Sequence, residues 1–270
     1  MADAERIRLV LSDVDGTLVG PDKSLSEATI DAVVRLGEAG IAFAVTSGRP
    51  PRGMSMLVEP LELTTPIAAF NGGEFVTPAL EEIRTMDIPE HLVPGIIELM
   101  DDHGIDAWVY SGADWYVLDP DGPHVARESA TVQFQPTVVD SYAGISPVAK
   151  VVGVSDDNDA VQRAEAAART AFGGHVSAAR SQPYYLDVTH PEANKGGALK
   201  FLARHLDIPP TSVATLGDSA NDVLMFALCG LSIAMGNADP GVQRAARRVT
   251  GSNEDGGWAE AIDRFVLGAP

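Results

Sequence analysis

An apolar run at residues 7–11 ends in Ser12-Asp13-Val14-Asp15-Gly16-Thr17, and this junction constrains the fold more than any other stretch. Two carboxylates two residues apart, followed by a glycine, cannot continue a buried strand, because unpaired buried charges are costly. We therefore expect a strand to end here, with Asp13 and Asp15 at its carboxyl edge. In parallel α/β sheets that edge is where ligands bind. Because two bare carboxylates repel each other, the pair indicates a cation or a proton between them.

The first and last thirds of the chain alternate strand and helix patterns. Short apolar runs at 7–12, 41–45 and 66–70 each end in a small polar loop, and residues 26–39 have helical apolar spacing. The last third predicts helices at 196–205, 221–228 and 258–267 and strands at 212–216 and 231–234. This alternation is typical of a parallel sheet covered by helices. The sequence therefore predicts an α/β fold whose core is a Rossmann-like, doubly wound parallel sheet.

The middle of the chain has a different pattern. It predicts helices at 90–103 and 158–172, with strand-like stretches at 107–110, 115–118 and 183–188 and a loop at 175–180. We interpret residues 86–188 as an α+β domain inserted into the core. The core domain is then built from residues 1–85 and 189–270.

Four polar clusters follow the predicted core strands. They are Asp13 with Asp15, Thr46 with Ser47, Lys195 at the start of its helix, and Asp218 with Asn221 and Asp222. Gathered at one edge of the sheet, these side chains would form a phosphoryl-transfer site. Carboxylates can attack phosphorus directly, and Mg²⁺ prefers carboxylates together with phosphate oxygens and water. Cationic and hydroxyl groups would neutralise the non-bridging phosphate oxygens.

The residue types suggest a division of roles. Asp13 would attack phosphorus to give an aspartyl-phosphate, and Asp15 would protonate the leaving alkoxide and later deprotonate the attacking water. Asp13, Asp218 and the carbonyl of Asp15 would hold Mg²⁺. Ser47 and Lys195 would neutralise the phosphate oxygens.

Six short motifs, in chain order, resemble those of the haloacid dehalogenase (HAD) superfamily and, within it, the Cof-type phosphatases of subclass IIB. The motifs are Asp13-Val14-Asp15-Gly16-Thr17-Leu18, Ser47-Gly48-Arg49, Asn71-Gly72, Lys195-Gly196-Gly197-Ala198-Leu199, Gly217-Asp218-Ser219-Ala220-Asn221-Asp222 and Met235-Gly236-Asn237-Ala238. The resemblance spans the whole predicted core. It implies that the inserted domain is a cap that closes on the substrate.

The resemblance also implies residue roles. Asp13 is then the nucleophile and a metal ligand, Asp15 the acid and base, and Asp218 a metal ligand with Asp222 behind it. The phosphate-binding set is Val14 through its amide, Ser47, Gly48, Lys195 and Asn221. Thr46 and Ser47 both remain candidates for the phosphate contact, and the Ser-Gly-Arg register favours Ser47. Candidate substrate contacts are Asn71 and Asn237 in the core and Arg180, Tyr184, Tyr185 and Asp187 in the cap.

We therefore expect a Mg²⁺-dependent phosphomonoester hydrolase that acts on a small phosphorylated metabolite. The resemblance makes a sugar phosphate the favoured substrate. One alternative is a phosphomutase that uses the same aspartyl-phosphate chemistry, and another is a non-catalytic phosphometabolite-binding protein. A haloacid dehalogenase is disfavoured by Asp15, because that reaction needs no acid two residues after the nucleophile.

Composition limits the partners and the compartment. The formal net charge of −19 repels polyphosphate backbones, so we expect no nucleic-acid partner. No segment reaches the ~18 apolar residues of a membrane span, and the single cysteine, Cys229, fits a reducing cytoplasm. We expect a cytoplasmic monomer or small homo-oligomer. The cluster of Arg244, Arg247 and Arg248 is interpreted as the solvated face of a helix.

Overall fold

The computed structural model describes residues 6–268, which form two β-sheets with helices packed against them. The larger sheet has eight strands in the order β14-β13-β12-β1-β2-β3-β4-β5. Its strands are β1 (Leu9–Asp13), β2 (Ala42–Thr46), β3 (Ile67–Ala69), β4 (Glu74–Val76), β5 (Glu82–Thr85), β12 (Val213–Gly217), β13 (Leu231–Ala234) and β14 (Arg248–Val249). The strands from β14 to β3 are parallel, and β4 and β5 extend the sheet in antiparallel fashion.

Helices cover both faces of this sheet, which explains why the central strands β1 and β12 are buried along their whole length. The helices of this half are α1 (Glu27–Glu38), α5 (Lys195–His205), α6 (Val223–Phe226), α7 (Pro240–Ala245) and α8 (Gly257–Ala261). α1 and α8 pack on one face, and α5, α6 and α7 pack on the other. β1 lies between β12 and β2 with all five residues buried. The predicted Rossmann-like fold class is confirmed.

The smaller sheet is formed by the middle of the chain. Its order is β10-β11-β9-β6-β7-β8, and all neighbours are antiparallel except β7 and β8. The strands are β6 (Asp106–Ser111), β7 (Asp114–Val117), β8 (Thr137–Val138), β9 (Lys150–Val154), β10 (Ser177–Gln182) and β11 (Tyr185–Thr189), and the helices are α2 (Val93–Asp102), α3 (Val125–Val132) and α4 (Asn158–Phe172). We call this sheet with its helices the cap. α2 and α4 cover the face of the sheet that carries Val109, Val151 and Leu186.

The structure corrects several local predictions. Residues 175–180 do not form a loop, because Ser177–Gln182 is strand β10. That strand is mostly exposed and polar, so it lacks the apolar alternation that identifies strands. The predicted helix over 221–228 is a 3-10 turn at Ala220–Asp222 followed by the short α6. The arginine cluster does not share one helix face, since α7 ends at Ala245 and Arg248 belongs to β14.

Within residues 6–268, helices are too short and too polar for a membrane crossing.

Candidate active site

Asp13 is the centre of the site, at the carboxyl end of the central strand β1. It is 4% exposed, and the ammonium of Lys195 lies 2.7 Å from its Oδ1 atom. Lys195 is the first residue of α5 and also contacts Oδ1 of Asp222 at 2.6 Å. Burial raises the pKa of Asp13, Lys195 partly offsets this, and the nearby Asp222 and Asp218 raise it further. The two carboxylates raise the pKa of Lys195 despite its burial, so it is charged.

Asp222 holds this arrangement from behind. Its Oδ2 atom accepts hydrogen bonds from the amides of Asp218 and Ser219 and from the Ser219 hydroxyl. With Lys195 on Oδ1, the carboxylate has four donors and is fully buried. A side chain at Gly217 would place a Cβ 2.3 Å from Cγ of Asp222, so glycine is needed there. These contacts fix Asp222 as a support for Lys195 and the Asp218 loop.

Three carboxylates converge at one point. Asp13, Asp218 and Asp222 each have an oxygen within 4.8 Å of the others. Lys195 is the one cation within 4 Å of them in the described part of the chain. When all three carboxylates are ionised, they and the Lys195 ammonium together have an excess of two negative charges. Burial and Asp222 raise the pKa of Asp218, and the charge of Lys195 and the hydrogen bond from Thr17 offset this only in part.

This donor set fits Mg²⁺, which is bound through one or two carboxylates and keeps several waters. Because Asp222 is already saturated with donors, Asp13 and Asp218 are the carboxylates available for an ion. Thr17 donates to Oδ1 of Asp218 at 3.1 Å and helps to orient it. Gly16, at φ +78°, allows the backbone to approach Asp218, since a Cβ would lie 2.4 Å from its Oδ2.

The Asp15 carboxylate is not a member of this group and has cationic partners of its own. The Arg49 guanidinium binds it through two bonds of 2.7 and 2.8 Å, and the Lys23 ammonium adds a third of 2.8 Å. Burial would raise the pKa of Asp15, but Arg49 and Lys23 outweigh it and lower the pKa to about 2. Asp15 is therefore ionised, and only its carbonyl remains a candidate metal ligand. The sequence assigned no role to Arg49, although it belongs to a quoted motif.

The predicted phosphate-binding residues surround Asp13. Ser47, Gly48, Lys195 and Asn221 line the same cleft as Asp13. Val14 is fully buried in the turn after β1. Thr46 is also fully buried and does not line the cleft, which favours Ser47 as the phosphate contact.

The candidate substrate contacts separate into two groups. Asn71, Tyr184, Tyr185 and Asp187 line the cleft. Arg180 does not line it, because its guanidinium pairs with Glu165 of α4 at 2.8 Å. Asn237 also lies outside the lining and supports the Gly16 loop by donating to its carbonyl at 2.9 Å. Neighbouring polar groups bind the side chains of Arg180 and Asn237 away from the cleft in this structure, and contact of these two residues with the substrate stays a prediction.

The cap contributes charged residues to which the sequence patterns gave no role. Lys150 and Glu128 line the cleft, as do Trp108, Tyr110 and Arg127. Lys150 begins a strand, β9, that was not predicted, so its position over the core could not be inferred.

The cleft has a volume of about 250 Å³. It is slightly smaller than the ~300–1,000 Å³ of typical ligand pockets, which favours a small metabolite over a polymer.

A parallel α/β core, an acidic centre at its carboxyl edge and an inserted sheet above that centre define the class of capped α/β hydrolases. The family model described as haloacid dehalogenase-like hydrolase matches residues 10–262. The chain therefore belongs to the haloacid dehalogenase-like hydrolase family, and the predicted membership is confirmed.

Relatives and solved structures agree with this assignment. The HMP-PP phosphatase of Cronobacter sakazakii is 29% identical over 234 residues, which cover 86% of this chain and 85% of the relative. The pyridoxal phosphate phosphatase YbhA of Escherichia coli is 26% identical over 278 residues, which cover 96% and 99%. A haloacid dehalogenase-like hydrolase from Bacteroides thetaiotaomicron superposes with a TM-score of 0.89 at 28% identity, covering 96% of this chain and 100% of that one.

Proposed function

We propose that the chain is a Mg²⁺-dependent phosphomonoester hydrolase that works through an aspartyl-phosphate on Asp13. The observation that carries the proposal is the buried Asp13 beside Lys195, in a carboxylate group with an excess of two negative charges. The relatives named as phosphatases support the reaction class, and the size of the cleft supports a small phosphorylated metabolite as the substrate. A sugar phosphate remains the prediction made from the sequence.

In the first step an Asp13 oxygen attacks phosphorus, a P–O bond to Asp13 forms, and the ester P–O bond breaks. Lys195, Ser47 and the amides near Val14 neutralise the non-bridging oxygens. Bound Mg²⁺, held by Asp13, Asp218 and the Asp15 carbonyl, would supply charge stabilisation for the phosphoryl group. Water then attacks the aspartyl-phosphate and releases phosphate, which restores Asp13.

Asp15 is the group that moves protons in this scheme. Held ionised by Arg49 and Lys23, it is ready to accept a proton from the attacking water. To protonate the leaving alkoxide it must first take up a proton, and this requires the Arg49 and Lys23 contacts to loosen. Leaving groups that need no proton should therefore depend less on Asp15 than alkyl alcohols do.

A phosphate-release assay over a panel of phosphorylated metabolites, with and without Mg²⁺, tests the proposal. We expect release of inorganic phosphate that depends on Mg²⁺ and on Asp13. Conversion of one phosphate isomer into another without release would favour a phosphomutase. Binding of a phosphorylated metabolite without turnover of any ester would favour a non-catalytic binding protein.

A further inference from the structure

One face of the cap sheet covers the cleft, and strand register determines which side chains it carries. Residues directly opposite one another in an antiparallel pair project from the same face. Tyr110 lies opposite Lys150, Trp108 opposite Val152, and Val152 opposite Asp187. These five side chains line the cleft. The face over Asp13 is therefore partly aromatic and partly charged.

Lys150 is the buried cation of this face. Its side chain is only 9% exposed, and its Nζ atom donates to the carbonyl oxygen of Gly48 in the core at 3.2 Å. Asp187 lies 3.6 Å away, beyond normal hydrogen-bond length, and the ring centroid of Tyr110 lies 4.9 Å away. An ammonium has three N–H donors, so the contact with Gly48 leaves two of them without a close acceptor among residues 6–268. Lys150 thus joins the cap to the phosphate-binding loop, and within residues 6–268 its remaining N–H donors have only the longer ion pair with Asp187 and the Tyr110 ring nearby.

Tyr185 adds a second donor to this face. It lies opposite Val154, on the same side of the sheet as Asp187, and lines the cleft. Its hydroxyl is buried, and no residue within 6–268 accepts a hydrogen bond from it. Tyr110 differs, because its hydroxyl donates to Glu128 at 3.0 Å. Burying a hydroxyl without a partner costs free energy, so a ligand acceptor would relieve a cost that the cap already has.

We propose that Lys150 and Tyr185 donate hydrogen bonds to oxygen atoms of the leaving group and thereby select the substrate. The substrate class is then a phosphomonoester whose leaving group carries hydroxyl, carbonyl or carboxylate oxygens close to the ester. A purely hydrocarbon leaving group would fill the cleft while leaving both donors unpaired, and sites built to form hydrogen bonds discriminate strongly against such analogues. This inference rests on the proposed phosphatase function and deepens it.

The first test compares D-ribose 5-phosphate, which carries hydroxyls, with phenyl phosphate, which carries none. The wild-type ratio of the two kcat/KM values is the reference, since it also contains the different reactivity of the two leaving groups. In Tyr185→Phe the ratio of the two kcat/KM values should fall by roughly 2- to 10-fold, the effect of losing one hydrogen bond between neutral groups. The Tm should stay the same or rise, because the lost hydroxyl has no protein partner. The matched control is Tyr142→Phe, since that hydroxyl donates to the Ala107 carbonyl and does not line the cleft. The control should lower the Tm and leave the ratio unchanged.

The second test removes the ammonium. Lys150→Met keeps the aliphatic stem and should lower the ratio of kcat/KM values by about 10–100-fold, because hydrogen bonds from charged donors are the stronger ones. Most of the loss should be an increase in KM for ribose 5-phosphate, and Lys150→Arg should restore part of it. Lys200→Met, at an exposed position of α5, is the matched control and should leave the ratio unchanged. If Lys150→Met does not fold, Tyr185→Phe decides the question.

The outcomes are distinguishable. A selective fall of the ratio in Tyr185→Phe, with Tm retained, supports the inference. Equal effects of Tyr185→Phe on both esters overturn it while leaving the phosphatase proposal intact. A wild-type chain that releases phosphate from no ester overturns the proposed function and this inference together.

Discussion

Lys195→Met is the substitution whose consequences follow most directly from the geometry. The ammonium lies 2.7 Å from Asp13 and 2.6 Å from Asp222, and all three side chains are almost completely buried. Methionine retains the length of the stem and removes only the charge. Three carboxylates would then share a buried site without a cation, because Asp218 belongs to the same group.

The expected cost can be bounded from buried ion pairs. Removing one partner of such a pair typically destabilises a protein by about 3–5 kcal/mol, because the remaining charge is left uncompensated. Lys195 has two carboxylate partners, so we expect the upper half of that range, about 4–5 kcal/mol. Saturating Mg²⁺ should restore part of this stability. An ion that binds only the folded state stabilises it by RT ln(1 + [L]/Kd), where [L] is the free ion concentration and Kd its dissociation constant.

Urea unfolding of wild type and Lys195→Met, with EDTA and with Mg²⁺, measures both quantities. Lys200→Met on the exposed side of the same helix serves as control and should change stability by less than about 0.5 kcal/mol. A loss below about 1 kcal/mol for Lys195→Met in EDTA would refute the electrostatic reasoning. Equal effects of Mg²⁺ on wild type and on Asp218→Asn would refute the placement of the ion.

Three further predictions concern other parts of the core. Asp13→Asn should lower kcat by about 10⁴-fold while the fold is retained, because a neutral amide cannot serve as the nucleophile. Circular dichroism measures the fold and phosphate release measures the activity. More than a few per cent residual activity would contradict this prediction. Burial first, then Glu82 and Asp87, raise the pKa of Glu74 to about 7, so between about pH 5 and 8 the folded state binds more protons than the unfolded state. The free energy of unfolding should therefore fall by up to about 3 kcal/mol between pH 5 and pH 8. Urea titrations of wild type and Glu74→Gln at these two pH values check this, and the variant should lack this fall. Gly217→Ala places a Cβ 2.3 Å from the Asp222 carboxyl carbon, so it should lower both Tm and kcat; a variant with wild-type values of both would show that Asp222 can move at no cost.

The core was predictable because its signals are local. The apolar run at β1 ends at Asp13, and glycines mark the turns around Asp15 and Asp218, so strand ends and polar loops coincide in the sequence. In parallel sheets such ends meet at one edge, which brought Asp13, Lys195 and Asp218 together as expected. The cap was less predictable. β10 is an exposed polar strand, and β9 is a short segment that begins with the buried charge of Lys150 and contains a glycine.

The sequence alone determined the fold class, the family and the residue types of the acidic centre, because these follow from apolar periodicity and from contiguous motifs. Tertiary structure decided how those groups are paired. Arg49 holds Asp15 in an ionised state, and Asp222 is saturated by four donors, which leaves Asp13 and Asp218 for a metal. It also decided that Arg180 is paired away from the cleft while Lys150 reaches Gly48 across 102 positions of sequence. The physical reason is that pairing and burial depend on distances between segments remote in the chain, and local sequence patterns carry no information about those distances.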